Sequence, residues 1–130
     1  MTYLVDTDWV IDYLKGKQSA HDLLTRLSAD GIAISLITYG EVFEGIYFGG
    51  RQQAAEFGFA QFLEIADVLS LTKPIMKRFA RVRGELRKRG QSISDTDLLI
   101  AATALEYDLI LVTRNVSHFE RIPNLELLKQ

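Results

Sequence analysis

Cysteine is absent from this 130-residue chain, which excludes disulfides, thiolate metal sites and cysteine nucleophiles together. Histidine occurs only at 21 and 118, too far apart for a helical metal-binding pair, and both read as surface side chains. No stretch approaches the roughly 20 apolar residues that a membrane-spanning helix needs. The N-terminus lacks a basic region followed by an apolar core. A cytoplasmic protein with no membrane partner is the expectation. Neither sign of charge dominates: 15 basic residues face 17 acidic ones, and the net charge of −2 argues against a general polyanion binder. There is no internal repeat, no low-complexity tract and no linker.

What remains is ordinary globular material, 48% hydrophobic and 25% charged, and its length fits one domain over residues 1–130. Short apolar runs at 2–6, 32–35, 68–71 and 109–113 read as strands, with a further one at 125–128. Helical spacing of apolar residues marks segments at 9–14, 21–28, 38–47, 52–65 and 95–106. Pro74 suits a helix start, and that helix runs to a stop at Gly90. Continuous apolar strands separated by helices imply an α/β fold, with a parallel sheet covered on both faces. Ligands in such folds bind beyond the carboxyl ends of the strands.

Four carboxylates stand at those ends or at nearby helix starts. Asp6 closes Tyr3-Leu4-Val5, Glu41 follows Ile34-Ser35-Leu36-Ile37-Thr38, and Asp95 and Asp97 open Leu98 to Leu105. Carboxylates gathered in one cleft repel one another unless a cation neutralises them. All-oxygen ligands suit a hard divalent ion such as Mg2+ or Mn2+. The pattern points to a metal-dependent hydrolase acting on a phosphate ester.

Local explanations compete with that reading. Thr38-x-x-Glu41 and Ser94-x-x-Asp97 both fit a capping box, and carboxylates in a first helical turn gain from the helix dipole. Asp8 reads as a helix-start charge and Asp12 as a surface charge. Asp6 resists such treatment, since an Asp at the end of an apolar strand neither packs nor extends it. Basic residues are concentrated: Lys73, Lys77, Arg78, Arg81, Arg83, Arg87, Lys88 and Arg89 oppose the single acid Glu85. That segment is either a solvated helix face or a track for a phosphate backbone. Lys73, Lys77, Arg78, Arg81 and Arg87 are the candidate RNA contacts.

Four stretches in order, LVDTDWVIDYL, ISLITYGEVFEG, ISDTDLLIAATALEYDLILVT and TRNVSHFERIPNLELL, resemble the PIN-domain ribonucleases, in particular the VapC toxins of type II toxin–antitoxin systems. The resemblance covers essentially the whole chain. It implies a three-layer α/β/α PIN-like domain with a central, mostly parallel sheet of four to five strands. It also implies that Asp6, Glu41 and Asp97 hold Mg2+ or Mn2+, with Asp95 an added acidic neighbour. Thr7 or Thr113 would orient ligands through a hydroxyl, and Asn115 occupies a slot where many such nucleases carry a fourth Asp. His118 stands where relatives commonly have an acid, and Asp8 replaces a usual Asn. The implied reaction is hydrolysis of a structured RNA, a tRNA or an rRNA loop, leaving 5′-phosphate and 3′-hydroxyl ends. A homodimer neutralised by a cognate VapB-type antitoxin, in a larger toxin–antitoxin assembly, is the implied partnership. Trp9, Phe43, Tyr47 and Phe48 are candidate interface residues, although Phe43 fits the core better.

Two other readings bear on the same residues. Asp6-Thr7-Asp8-Trp9-Val10 matches the Asp-x-Asp-x-(Thr/Val) signature of haloacid-dehalogenase-like phosphatases, in which Asp6 would be the nucleophile. There, however, the acidic pair follows the threonine strand, whereas Asp95 and Asp97 precede it. A non-catalytic PIN-like binding module is the other reading, invited by Asn115 and His118.

Overall fold

The structure is a computed structural model that describes residues 1–129. Strands β1 (Tyr3–Val5), β2 (Ile32–Ser35), β3 (Ala66–Leu69) and β4 (Ile110–Val112) form one sheet in the order β3-β2-β1-β4. All its pairings are parallel. The expected strand at 125–128 is reduced to a bridge between Leu111 and Leu127, with backbone hydrogen bonds from Leu111 to Glu126 and from Leu128 to Leu111. β3 starts two residues before its predicted position.

Adjacent residues along each strand serve opposite cores, as the period of two demands. Val5, Ile32, Ile34 and Val112 face one layer. There they meet α1 (Thr7–Leu14), α2 (Gln18–Ser28), α3 (Leu36–Phe48) and α4 (Gln52–Phe62) through Val10, Leu24, Val42, Phe59 and Phe62. Leu4, Ala33 and Leu111 face the other layer, where α5 (Lys73–Lys88) and α6 (Asp95–Glu106) supply Val82, Leu86, Leu98 and Ile100. This is the expected α/β/α sandwich. Every fully buried Leu, Ile or Phe stabilises it by about 1.5–3 kcal/mol relative to exposure.

Helix ends set the cleft edge. Asp6, the residue after β1, caps α1 by accepting the Thr7 amide at 2.8 Å. Ser35 caps α3 and Ser94 caps α6, accepting from the amides of Ile37 and Asp97. The capping box expected at Thr38 and Glu41 is therefore not formed, because α3 begins earlier and both side chains lie beyond its cap. α3 ends at Gly49, where a Cβ would sit 2.7 Å from the Gly45 carbonyl oxygen. Gly90, with φ of +69°, closes α5 and turns the chain toward α6. A last short helix, α7 (Val116–Phe119), follows β4. Among the described residues, no helix is long and apolar enough to cross a membrane.

Candidate active site

An open cleft of about 510 Å³ lies at the carboxyl edge of the sheet, lined by Asp6, Asp8, Glu41, Glu44, Asp97 and Asn115 and also by Phe48. Three chain segments distant in sequence deliver its acids. Asp6 comes from the end of β1, Glu41 from the second turn of α3 and Asp97 from the first turn of α6.

Asp6 is the deepest, with 4% of its surface exposed. One carboxylate oxygen accepts the Thr7 amide; the other accepts the Thr113 hydroxyl at 2.7 Å. Each oxygen retains a further lone pair. Burial pushes the Asp6 carboxyl above its ordinary value, the bonds from Thr113 and Thr7 pull it back, and the charges of Asp97 and Asp8 push it up again; the net direction is upward. No basic side chain forms an ion pair with it among the described residues.

Glu41 is held differently. The Thr7 hydroxyl lies 2.6 Å from Glu41 Oε1 and 3.0 Å from Thr38 Oγ1. A carboxylate only accepts, so the single Thr7 proton goes to Glu41, and the buried Thr38 hydroxyl is left to donate to Thr7. Thr7 thus serves twice: its amide fixes Asp6 and its hydroxyl aims Glu41. Thr38 hydrogen-bonds with Thr7 and not in the capping box that its spacing to Glu41 suggested.

The other predicted residues divide. Thr113 and Asn115 belong to the site, joined to each other by the Asn115 amide donating to Thr113 Oγ1 at 3.1 Å. Asp97 borders the cleft half-buried, with His118 Nδ1 3.7 Å from its carboxylate. His118, expected at the surface, is indeed exposed, yet it attends a cleft acid. Asp95 is not brought in: it points to solvent, ion-paired with Arg83 on α5. Successive helical residues project about 100° apart, so Asp95 and Asp97 cannot share one cleft wall. Asp12 also departs from expectation. It is 7% exposed and paired with Lys17 at 3.3 Å and with Arg114. Burial pushes its carboxyl up, but the hydrogen bond and charge from Lys17 and the charge of Arg114 outweigh this and hold it below 3.8.

Among the described residues no three acidic or histidine side chains converge into a ready ligand set; Asp6, Glu41 and Asp97 instead face a shared space. The donor chemistry nevertheless suits a hard divalent cation. All donors are oxygens, the deepest carboxylate has no cationic partner, and two acidic neighbours raise its proton affinity.

The basic helix shows the predicted mixture. Arg78 pairs with Glu106 at 3.2 Å, and Arg83 with Asp95 while lying over the Phe79 ring. Lys73, Lys77, Arg81 and Arg87 are exposed and make no ion pair among the described residues. Trp9 is buried, and Phe43 packs half-buried on the core, as its spacing suggested. Tyr47 and Phe48 are exposed, Phe48 by 88%.

Comparison with known proteins agrees with this architecture. The family model described as PIN domain matches residues 3–125. Ribonuclease VapC1 of Methanocaldococcus jannaschii is 36% identical over 119 residues, covering 92% of this chain and 79% of the relative. Ribonuclease VapC19 of Mycobacterium tuberculosis is 34% identical over 129 residues, covering 95% and 96%. A crystal structure of VapBC2 from Rickettsia felis bound to a DNA fragment from its promoter superposes with a TM-score of 0.91 at 29% identity, over 100% of this chain and 99% of that one. These matches overturn the haloacid-dehalogenase reading, whose motif order the chain never satisfied. The chain belongs to the PIN domain family, in the group of the VapC ribonucleases.

Proposed function

We propose that this protein is a metal-dependent endoribonuclease toxin, a single PIN domain over residues 1–130, that hydrolyses phosphodiester bonds in a structured RNA. The observation that carries the reading is the convergence of Asp6, Glu41 and Asp97 from three separate segments on one cleft. Local bonds and the helix dipole give each acid a reason singly, but they do not account for Asp6, Glu41 and Asp97 bordering one cleft.

The fitting residues for Mg2+ or Mn2+ are Asp6, Glu41 and Asp97. A bound ion of this kind supplies Lewis-acid polarisation of a phosphoryl oxygen and activation of water. The chain's own part is orientation. Thr113 and the Thr7 amide lock both Asp6 oxygens, and Thr7 in turn aims Glu41. Asn115 offers an amide at the cleft wall, able to donate to a phosphate oxygen. Exposed Lys73, Lys77, Arg81 and Arg87 would hold the RNA backbone without reading its sequence. Arg78 contributes less, being shared with Glu106.

The VapBC2 neighbour was solved as a toxin–antitoxin complex on DNA. By analogy this protein would pair with a VapB-type antitoxin and form a homodimer within that assembly. Exposed Tyr47, Phe48 and Phe57 provide apolar surface for such contacts. A cytoplasmic location accords with an RNA substrate.

The test is cleavage of total cellular RNA by antitoxin-free wild type and Asp6→Ala, with Mg2+, with Mn2+ and with EDTA. A discrete fragment that needs the metal and vanishes in the variant is expected, and its ends identify the target. Equal cleavage by both proteins would refute the site. A non-catalytic module would bind RNA and cut none under any condition.

A further inference from the structure

Arg114 lies between two residues of the site, Thr113 and Asn115, yet its side chain turns away from the cleft. Its guanidinium sits 4.0 Å from the centroid of the Trp9 ring and pairs with the carboxylate of Asp12. Trp9 and Asp12 are three residues apart on α1, so they form neighbouring points on one helix face. Both are buried, and Lys17 braces Asp12 from the other side at 3.3 Å. The Arg114 side chain is still 40% exposed, but a planar guanidinium held against both a ring and a carboxylate has fewer orientations than one without partners.

The consequence falls on Thr113. Its hydroxyl donates to Asp6 at 2.7 Å and accepts from the Asn115 amide at 3.1 Å. The turn after β4 is therefore anchored at two places on the β1–α1 segment: Thr113 to Asp6, where α1 starts, and Arg114 to Trp9 and Asp12, farther along the helix. With the second anchor in place, the turn cannot swing about the first, and the Thr113 hydroxyl keeps one direction.

We propose that Arg114, clamped by Trp9 and Asp12, is a positioning residue that acts through Thr113 to hold the Asp6 carboxylate in its binding orientation. The inference rests on the ribonuclease reading for its role in turnover, but its metal-binding consequence can be measured separately. Arg114 is not among the residues that line the cleft, so its part is positioning and not catalysis.

The experiment is a double-mutant cycle on the full chain, with Mn2+ affinity measured by calorimetry. Arg114→Met keeps the stem and removes the charge; Thr113→Val removes the hydroxyl. Each is expected to weaken Mn2+ binding by about tenfold, the usual effect of losing a group that orients a ligand. The double variant is expected to be no weaker than either single one, because both lie on one path to Asp6. Arg114→Met should also lower kcat on RNA at unchanged KM. Trp9 is the only tryptophan in the chain, so its emission reports the clamp directly: it should change in Arg114→Met and stay the same in Thr113→Val.

Wild-type Mn2+ affinity in Arg114→Met would overturn the proposal, as would losses that multiply to about a hundredfold in the double variant. A raised KM at constant kcat would also overturn it, making Arg114 a substrate contact. Should Arg114→Met fail to fold, Arg114→Lys retains the attraction to Asp12 without the flat stacking. An intermediate loss is then expected, and full affinity overturns the idea. Wild type that binds Mn2+ and cuts no RNA sinks the ribonuclease reading alone; wild type that binds no Mn2+ sinks both.

Discussion

At the scale of single residues, the cleft acids oppose one another's charge. Asp97 and Asp8 both raise the proton affinity of buried Asp6, which means that their negative charges oppose its ionisation. Asp97→Asn is therefore expected to abolish RNA cleavage and yet raise the melting temperature in EDTA, an effect of about 0.5–2 kcal/mol. Unchanged or lower stability in a thermal melt would mark Asp97 as a helix cap and nothing more. Asp12 runs the other way. Its carboxyl is held below 3.8 in the folded protein, so its ionised form stabilises the fold above that value, and the contribution is lost as pH falls through the folded value. Asp12→Asn should destabilise at neutral pH, and the deficit should shrink in urea titrations taken at about pH 3. A deficit of equal size at both pH values would show that packing, not charge, makes Asp12 matter. Sequence reasoning placed Asp12 at the surface because nothing local marks it. Its partner Arg114 is about a hundred positions away, and only the fold reveals the pairing.

Among the elements, α5 and α6 carry separable tasks. α6 presents Asp97 from a first turn capped by Ser94, whose side chain accepts the Asp97 amide at 3.2 Å. Ser94→Ala should cost about 1 kcal/mol, read as a lowered urea midpoint, and should lower cleavage by loosening that turn. No change in either would mean that packing of Leu98 and Ile100 alone fixes the helix start. α5 sets Lys77 and Arg81 one turn apart on its exposed face. Replacing both with glutamine should weaken RNA binding about equally for unrelated sequences and flatten its dependence on salt concentration, while leaving metal affinity intact. Binding with an unaltered salt slope would identify α5 as a solvated face. The four strands and the helices α1 to α6 were legible from periodicity and from stops such as Gly90, whereas the short α7 was not and the expected last strand is only a bridge. The expected box at Thr38 and Glu41 was not, since the pattern fits the motif equally well when the true cap is Ser35.

For the molecule as a whole, two apolar cores share one thin sheet, so neither layer of helices can leave without exposing the strands. Unfolding is expected to be a single cooperative event, with far-ultraviolet dichroism and Trp9 emission changing at the same denaturant concentration. Separate transitions would divide the chain into two units and refute the single-domain reading. Local pattern was enough for the α/β class, the parallel sheet, the exclusion of cysteine chemistry and the choice of candidate acids. It could do so because burial periodicity and side-chain chemistry are local properties that the chain carries wherever it folds. Tertiary structure alone decided that Asp6, Glu41 and Asp97 share a cleft while Asp95 pairs with Arg83 outside it, and that Thr7, Thr38 and Thr113 orient the acids. It also decided that Arg114 is gripped by α1. Those outcomes depend on directions and distances between segments remote in the chain, which spacing along the sequence does not encode.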